Sequence, residues 1–372
     1  MRVFWFSFFG VVVIYLALRL SWPETIEFGY DQPRLATVVI DFLKHGNFIH
    51  SQEFSLESPW GNFSWGPALV FFYSPFLAIS PHPIIASYLV VVFNLVSIIC
   101  VIILGSRYFS PKTGIVAGIL LATHPWWVIF SRMIYQPTPV PSFVAISMLL
   151  TFAAISRPKG IFPALTFISW GVLAQLYLIS FSFISTSLLG LLSKLKLFSI
   201  KFLLLSALAT LVLFIPSIYF YAMNPQYLSR FINAPTLFDT TLRDVVFNYF
   251  EATAGGGFRW QLGYGYQNFI NAFPTHIWVT SVISFLVLSV IIYHTVKLKS
   301  DSRQKRIFRG LLVGWAVAPI WFLLIAKVEY VLPRYFLISL PAVCVLIALF
   351  IDEISKRLGL MVFALPLIIV IW

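Results

Sequence analysis

The polar residues of this chain that could do chemistry sit at the ends of long apolar runs. The first is Asp31, in Phe28-Gly29-Tyr30-Asp31-Gln32-Pro33-Arg34, just past the apolar segment Val3 to Leu20. A carboxylate at the edge of a low-dielectric region is a candidate general base, with Arg34 beside it as a candidate substrate contact. A plainer role is structural: Asp31 caps the helical pattern Gln32 to Lys44, with Pro33 suited to its first turn. The two roles are compatible. Arg132 and Gln136 stand in Ser131-Arg132-Met133-Ile134-Tyr135-Gln136-Pro137. A guanidinium at a helix end binds phosphate or pairs with Asp31, or it only snorkels to the interface. Arg334 and Tyr335 lie in Glu329-Tyr330-Val331-Leu332-Pro333-Arg334-Tyr335-Phe336. An anionic lipid phosphate would explain a cation there, with Lys327 and Arg259 joining it; an ion pair with Glu329 is the alternative. Gln175 and Tyr177 could hydrogen-bond a sugar or serve as interhelical glue. His124 reads as a satisfied core histidine.

A membrane bundle must position these residues. The chain has 372 residues, 60% hydrophobic and only 10% charged, with a mean hydropathy of +0.91. Soluble domains carry about 25% charged residues. The composition therefore predicts an all-α, polytopic integral membrane protein of about 11 transmembrane helices. The spans are expected near 3–21, 84–105, 114–130, 139–156, 160–177, 179–193, 200–222, 277–297, 310–326, 335–351 and 358–372. Val3 to Leu20 is too long for a signal-peptide core and lacks a small-residue cleavage site, so it reads as a retained anchor. One transmembrane domain over 1–372 is expected, with two long outer segments, 22–83 and 223–276. The first would hold the acid and juxtamembrane helices. No internal repeat or low-complexity tail is evident.

Other function classes find little support. The net charge of +12 is spread over many loops, not gathered in a patch for nucleic acid. Cys100 and Cys344 lie inside apolar runs and suggest neither a disulfide framework nor a zinc site. The run Gly255-Gly256-Gly257 lacks the Gly-Lys-Ser/Thr ending of a phosphate loop. No span carries the acid pairs or symmetric glycine-broken helices of an ion-coupled transporter. Asn62-Phe63-Ser64 fits a glycosylation sequon, which matters only in a host that glycosylates.

Sidedness turns on Gly66 to Ser80, an apolar stretch of about 15 residues containing Pro67 and Pro75. If it lies along the membrane surface and does not cross, sixteen of the 25 basic residues face inward, including the run Lys297 to Arg309. Ten of the 13 acids then face outward. If it crossed, that basic run would face outward, against the positive-inside rule. The non-crossing arrangement is therefore expected, with Asp31, Arg132 and Arg334 all on the outer side.

The layout resembles the lipid-dependent glycosyltransferases of the GT-C class, in particular the dolichyl-phosphate-mannose protein mannosyltransferase and aminoarabinose transferase group. The resemblance covers most of the chain. It rests on Tyr30-Asp31-Gln32 after the first span, Trp65-Gly66-Pro67 followed by Phe71-Phe72-Tyr73, a short basic inner loop, and Pro333-Arg334-Tyr335 before a late span. It implies an inverting hexosyl or pentosyl transferase of the cell membrane, with a polyprenyl-phosphate sugar donor and a glycan, lipid or protein acceptor. The first-loop Asp carries over as base to Asp31. The family often has Asp-Glu where this chain has Asp31-Gln32, and many members carry a second acid where it has Gln136. No cofactor is called for, and a divalent metal is left open. The apolar run at Trp372 suggests a shortened member of a longer family. The competing expectations are a lipid-linked glycan flippase or transporter and a polysaccharide polymerase.

Overall fold

A computed structural model describes residues 2–21, 26, 28–29, 31–46, 57–58, 61–62, 67–192, 194–223, 225, 240–258, 265–326 and 331–358. In chain order the helices are α1 (Arg2–Leu20), α2 (Asp31–His45), α3 (Ala68–Ile79), α4 (Pro83–Tyr108), α5 (Pro111–Thr123), α6 (Pro125–Phe130), α7 (Val140–Ser156), α8 (Phe162–Leu176), α9 (Ser180–Leu192), α10 (Ile200–Met223), α11 (Leu242–Thr253), α12 (Tyr266–Ala272), α13 (His276–Lys297), α14 (Arg303–Ala326) and α15 (Leu340–Leu358). A 3₁₀ segment, Pro333–Ser339, leads into α15. Among the described residues, a small antiparallel pairing of β1 (Glu57–Ser58) with β2 (Gly61–Asn62) departs from the expected all-helical description.

Ten of the eleven expected spans fall on described helices; of the last, 358–372, all but its first residue lies outside the described residues. Among the described residues, six helices are long and apolar enough to cross a membrane: α1, α4, α10, α13, α14 and the 3₁₀ segment with α15. The remaining apolar helices are shorter. The expected span 114–130 breaks at His124, because the residue before a proline is pushed out of the helical region. His124 is extended (φ −61°, ψ 120°) and Pro125 opens α6. At α3, twelve residues rise only about 18 Å, short of a hydrocarbon core of about 30 Å. This length agrees with a helix that does not cross.

The core is built by rows of residues spaced one turn apart. On α1 only Val11, Tyr15 and Arg19 are buried, at intervals of four, while Phe6, Phe9 and Val13 stay exposed as a lipid-facing surface would. The Tyr15 hydroxyl donates to the Val91 carbonyl of α4 at 2.9 Å. α4 and α5 approach closely at small residues: a Cβ on Gly105 would come within 2.6 Å of the Gly114 Cα. α15 runs through the middle and is almost wholly buried.

Contacts gather the basic helix ends at one end of the bundle. Lys112 donates to Ser355, and Arg309 pairs with Glu353 at 2.7 Å. The expectation that this end faces inward is testable by labelling. Lys112→Cys should resist an impermeant thiol reagent added from outside, whereas Glu57→Cys should react; the native cysteines, both buried, give little background. Outside labelling at position 112 would reverse the orientation.

Candidate functional site

At the opposite end, the chain between α6 and α7 makes an irregular turn in which every residue from Ser131 to Pro139 is buried. Non-helical backbone at such depth needs partners from the surrounding protein. Tyr73 on α3 supplies two: its hydroxyl donates to the Tyr135 carbonyl at 2.6 Å and accepts from the Tyr135 N–H at 3.0 Å. Asn94 on α4 donates to the Ser131 carbonyl at 2.9 Å and is itself held by Ser142 at 2.8 Å. Arg19, fully buried at the end of α1, donates through Nε to Ser131 Oγ at 2.5 Å and through Nη1 to the Ala122 carbonyl at 2.8 Å. Its guanidinium lies 3.9 Å from the centre of the Tyr15 ring. Tyr73→Phe keeps the packing but orphans buried backbone groups. It should lower stability by about 1–3 kcal/mol, measured by thermal unfolding of the purified protein.

The start of α2 is docked on this turn. The Gln32 side chain accepts from the Gly29 N–H at 2.9 Å, and its amide reaches Met133 Sδ at 3.9 Å. Asp31 is the first helical residue, one earlier than expected, and so opens α2 beside the turn. Arg34 is exposed. Arg132 is buried, donates to the Ser21 carbonyl at 3.5 Å and is close enough to Arg19 for the two charges to interact. The end of α1, the start of α2 and the α6–α7 turn therefore meet.

The same turn presents Tyr135 to Arg334. Pro333 opens the 3₁₀ segment, and the half-buried Arg334 guanidinium lies 5.5 Å from the centre of the Tyr135 ring and 6.0 Å from that of Tyr335. Arg334 also donates to the hydroxyl of Tyr177, which caps the C-terminus of α8 and lies 6.2 Å from Tyr335 ring to ring. Aromatic faces stabilise a guanidinium while leaving part of its donor fork open for an anion.

Past α11 the chain turns through Gly255 and Gly257, both left-handed at φ 81° and 80°, where glycine is the residue of choice. A Cβ on Gly257 would sit 3.1 Å from both Pro333 Cγ and Glu251 Oε2, so the loop is pressed against the neighbour of Arg334. Trp126 Nε1 donates to the Gly256 carbonyl, and Phe258 stacks on Trp126 at 5.3 Å. His124 Nε2 meets the Thr253 carbonyl at 3.3 Å, but its buried Nδ1 finds no partner among the described residues, so the expected satisfied histidine is satisfied on one side only. Tyr249 packs on Phe336, and burial pushes its hydroxyl well above the ordinary phenol range. Between α11 and α13 runs a groove of about 810 Å³. Phe247, Phe250 and Phe285 line it, and Arg243, Glu251 and His276 are among its polar residues.

Of the residues singled out in the sequence, Arg132, Gln136, Tyr177, Arg334, Tyr335 and the backbone of Asp31 gather around one turn. Gln175 does not join them: its amide donates to the Leu213 carbonyl of α10 at 3.0 Å, the interhelical role. Arg259, Lys327 and Glu329 lie outside the described residues. Among the described residues no three His, Cys, Asp or Glu side chains converge. Arg19, Tyr73, Tyr135 and Glu251 escaped the sequence reading. Arg19 did carry a signal, as an ionisable residue within an apolar run.

No family model and no curated protein sequence matches the chain. Solved structures do match it. ArnT from Cupriavidus metallidurans, in the apo state, superposes with a TM-score of 0.60 at 16% identity over 94% of this chain and 60% of that one. The oligosaccharyltransferase AglB from Archaeoglobus fulgidus, solved with an inhibitory peptide and a dolichol-phosphate, gives 0.52 at 16% identity over 98% of this chain and 54% of that one. The apo form of the Archaeoglobus oligosaccharyltransferase gives 0.56 at 15% identity, covering 51% of its length. The chain thus spans about half to three fifths of the proteins it superposes on, and it has the polytopic GT-C fold that the resemblance implies.

Proposed function

We propose that the chain is a membrane glycosyltransferase that moves a sugar from a polyprenyl-phosphate donor to an acceptor at the outer face of the membrane. The observation that carries this reading is the convergence of Arg334 with its tyrosines, Arg132 and the opening of α2 on one buried turn, at the end opposite the basic loops. The groove, whose wall at Gly257 abuts Pro333, would suit an isoprenoid chain with its phosphate toward Arg334. The superposition on AglB, a structure that holds dolichol-phosphate, agrees with such a donor.

In this reaction the acceptor hydroxyl attacks the anomeric carbon from the face opposite the lipid phosphate, and the configuration inverts. Asp31 takes the hydroxyl proton. The bond between the anomeric carbon and the phosphate oxygen breaks, and the electron pair leaves with the lipid phosphate. Arg334, with Arg132, offsets the charge that develops there. Because the lipid phosphate is already a good leaving group, one base suffices, and Gln136 would serve as a hydrogen-bonding contact where an acid is absent. The acceptor, whether glycan, lipid or protein, would enter from the outer aqueous side.

The test is purified protein with a polyprenyl-phosphate sugar and a panel of acceptors, read by release of the lipid phosphate. Release that requires an acceptor is the expected result. Movement of the intact lipid-linked sugar between leaflets, with no release, would favour a flippase and overturn the transferase reading.

A further inference from the structure

We propose that the basic end of the bundle carries a headgroup site for an anionic phospholipid. A pocket of about 220 Å³ opens between the end of α7, the α9–α10 connection and the start of α14, lined by Ile155, Ser156, Lys194, Arg303, Gln304 and Ile307. It holds two cations, one amide and one hydroxyl, with no carboxylate in its wall. Arg107 and Arg157 stand close by, around Tyr108.

The acids that could neutralise these charges are engaged elsewhere. Asp301 meets Arg309 Nε at 2.5 Å. Glu353 meets Arg309 Nη2 at 2.7 Å and accepts from the Tyr293 hydroxyl at 2.8 Å. Asp352 meets Lys356 at 2.8 Å and accepts from Ser110 at 2.8 Å. Lys194 and Arg303 enter no ion pair among the described residues. Among the described residues, then, no acid of the chain supplies the counter-charge of this pocket, and a bound anion would.

The surroundings favour a lipid over a soluble anion. Leu189, Leu192, Leu195 and Leu197, all exposed, run along α9 and its connection to either side of Lys194. Acyl chains laid on this strip would bring a phosphate to the pocket mouth. There the Arg303 fork and the Lys194 ammonium would hold it, with the Gln304 amide as a further donor. This end lies across the bundle from the turn at Ser131 to Pro139, so the inference does not depend on the glycosyltransferase reading.

Native mass spectrometry of the full chain, with phosphatidylglycerol, phosphatidylcholine or inorganic phosphate added, tests it. A bound phosphatidylglycerol that phosphatidylcholine does not replace is expected. Affinity should drop about fivefold for each charge removed in Lys194→Gln, in Arg303→Gln and in the pair combined. The double variant Lys299→Gln with Lys305→Gln, equal in charge change but outside the pocket, should keep the lipid. Equal loss in that control would reduce the effect to diffuse surface charge and overturn the site. Retention in the pocket variants would do the same. Inorganic phosphate displacing the lipid at comparable concentration would overturn the lipid assignment in favour of a soluble phosphate.

Discussion

Asp31→Asn is expected to cut sugar transfer by about 10²–10⁴-fold while the protein stays folded in the membrane. The substitution keeps the size and the planar shape of the side chain but removes its ability to accept a proton. Its position explains why function, not fold, should suffer. Asp31 opens α2 where Gln32 is already tied to Gly29 and Met133, so the helix start is held by its neighbour. The helix also has its own anchors further on, in the buried Leu35, Ala36 and Val39. If Asp31, as the first residue of α2, served only the helix start, Asn would cost no more than the favourable contact of a charge with the helix dipole, about 0.3–1 kcal/mol. Asn thus separates the structural role from the chemical one. A variant that transfers at a rate near that of the wild type leaves Asp31 as a helix-start residue and removes it as the base. The comparison needs equal amounts of folded protein, judged by the elution profile in detergent.

How much of this arrangement could be read from residues alone differs from one feature to the next. The spans were legible because length and apolarity are what a bilayer demands, and α3 was legible as a short apolar helix, with twelve residues observed. The break at His124-Pro125 was not, since hydropathy runs on through both sides of it; Pro125 was the signal. The late span begins at Pro333 as a 3₁₀ segment over 333–339 and passes into α15 at Leu340, where Pro341 suits a first turn. At the site, Arg132 and Arg334 stood out as cations at the ends of apolar runs. Of the tyrosines around Arg334, Tyr177 and Tyr335 were singled out with it and Tyr135 was not, because with 16 tyrosines and 38 phenylalanines in the chain an aromatic residue by itself distinguishes little. The pairings Tyr73 with Tyr135 and Arg334 with Tyr177 are tertiary facts across many tens of residues. Gln175 and Tyr177 show the limit well. Two residues apart, they looked alike as polar groups at a span end. α8 ends between them, so Gln175 still faces α10 while Tyr177, past the last turn, swings to Arg334.

Arg334→Gln should raise the apparent donor KM by about 10–100-fold. The figure follows from a charge-assisted, two-point phosphate contact worth about 1.5–3 kcal/mol. Arg334→Lys keeps the charge but loses the planar fork, and with it the stack on Tyr135 and Tyr335, so its effect should be intermediate. The split between KM and kcat says where the contact acts. A rise in KM with kcat unchanged means phosphate is held equally in the ground and transition states, whereas an equal fall in kcat and kcat/KM places Arg334 on the leaving group. The rival role is mechanical: the guanidinium clasps Tyr135, Tyr177 and Tyr335 and so joins the α6–α7 turn to the end of α8. That role predicts loss of thermal stability in Arg334→Gln, a similar loss in Tyr177→Phe, and donor saturation unchanged in both. Phosphate binding predicts the reverse pattern for donor kinetics, with Tyr177→Phe affected only mildly because its ring stays. Measuring unfolding temperature and donor saturation for the three variants decides between them. Donor kinetics unchanged in Arg334→Gln would remove Arg334 from the phosphate site and leave Arg132 as the guanidinium near α2 to be tested next.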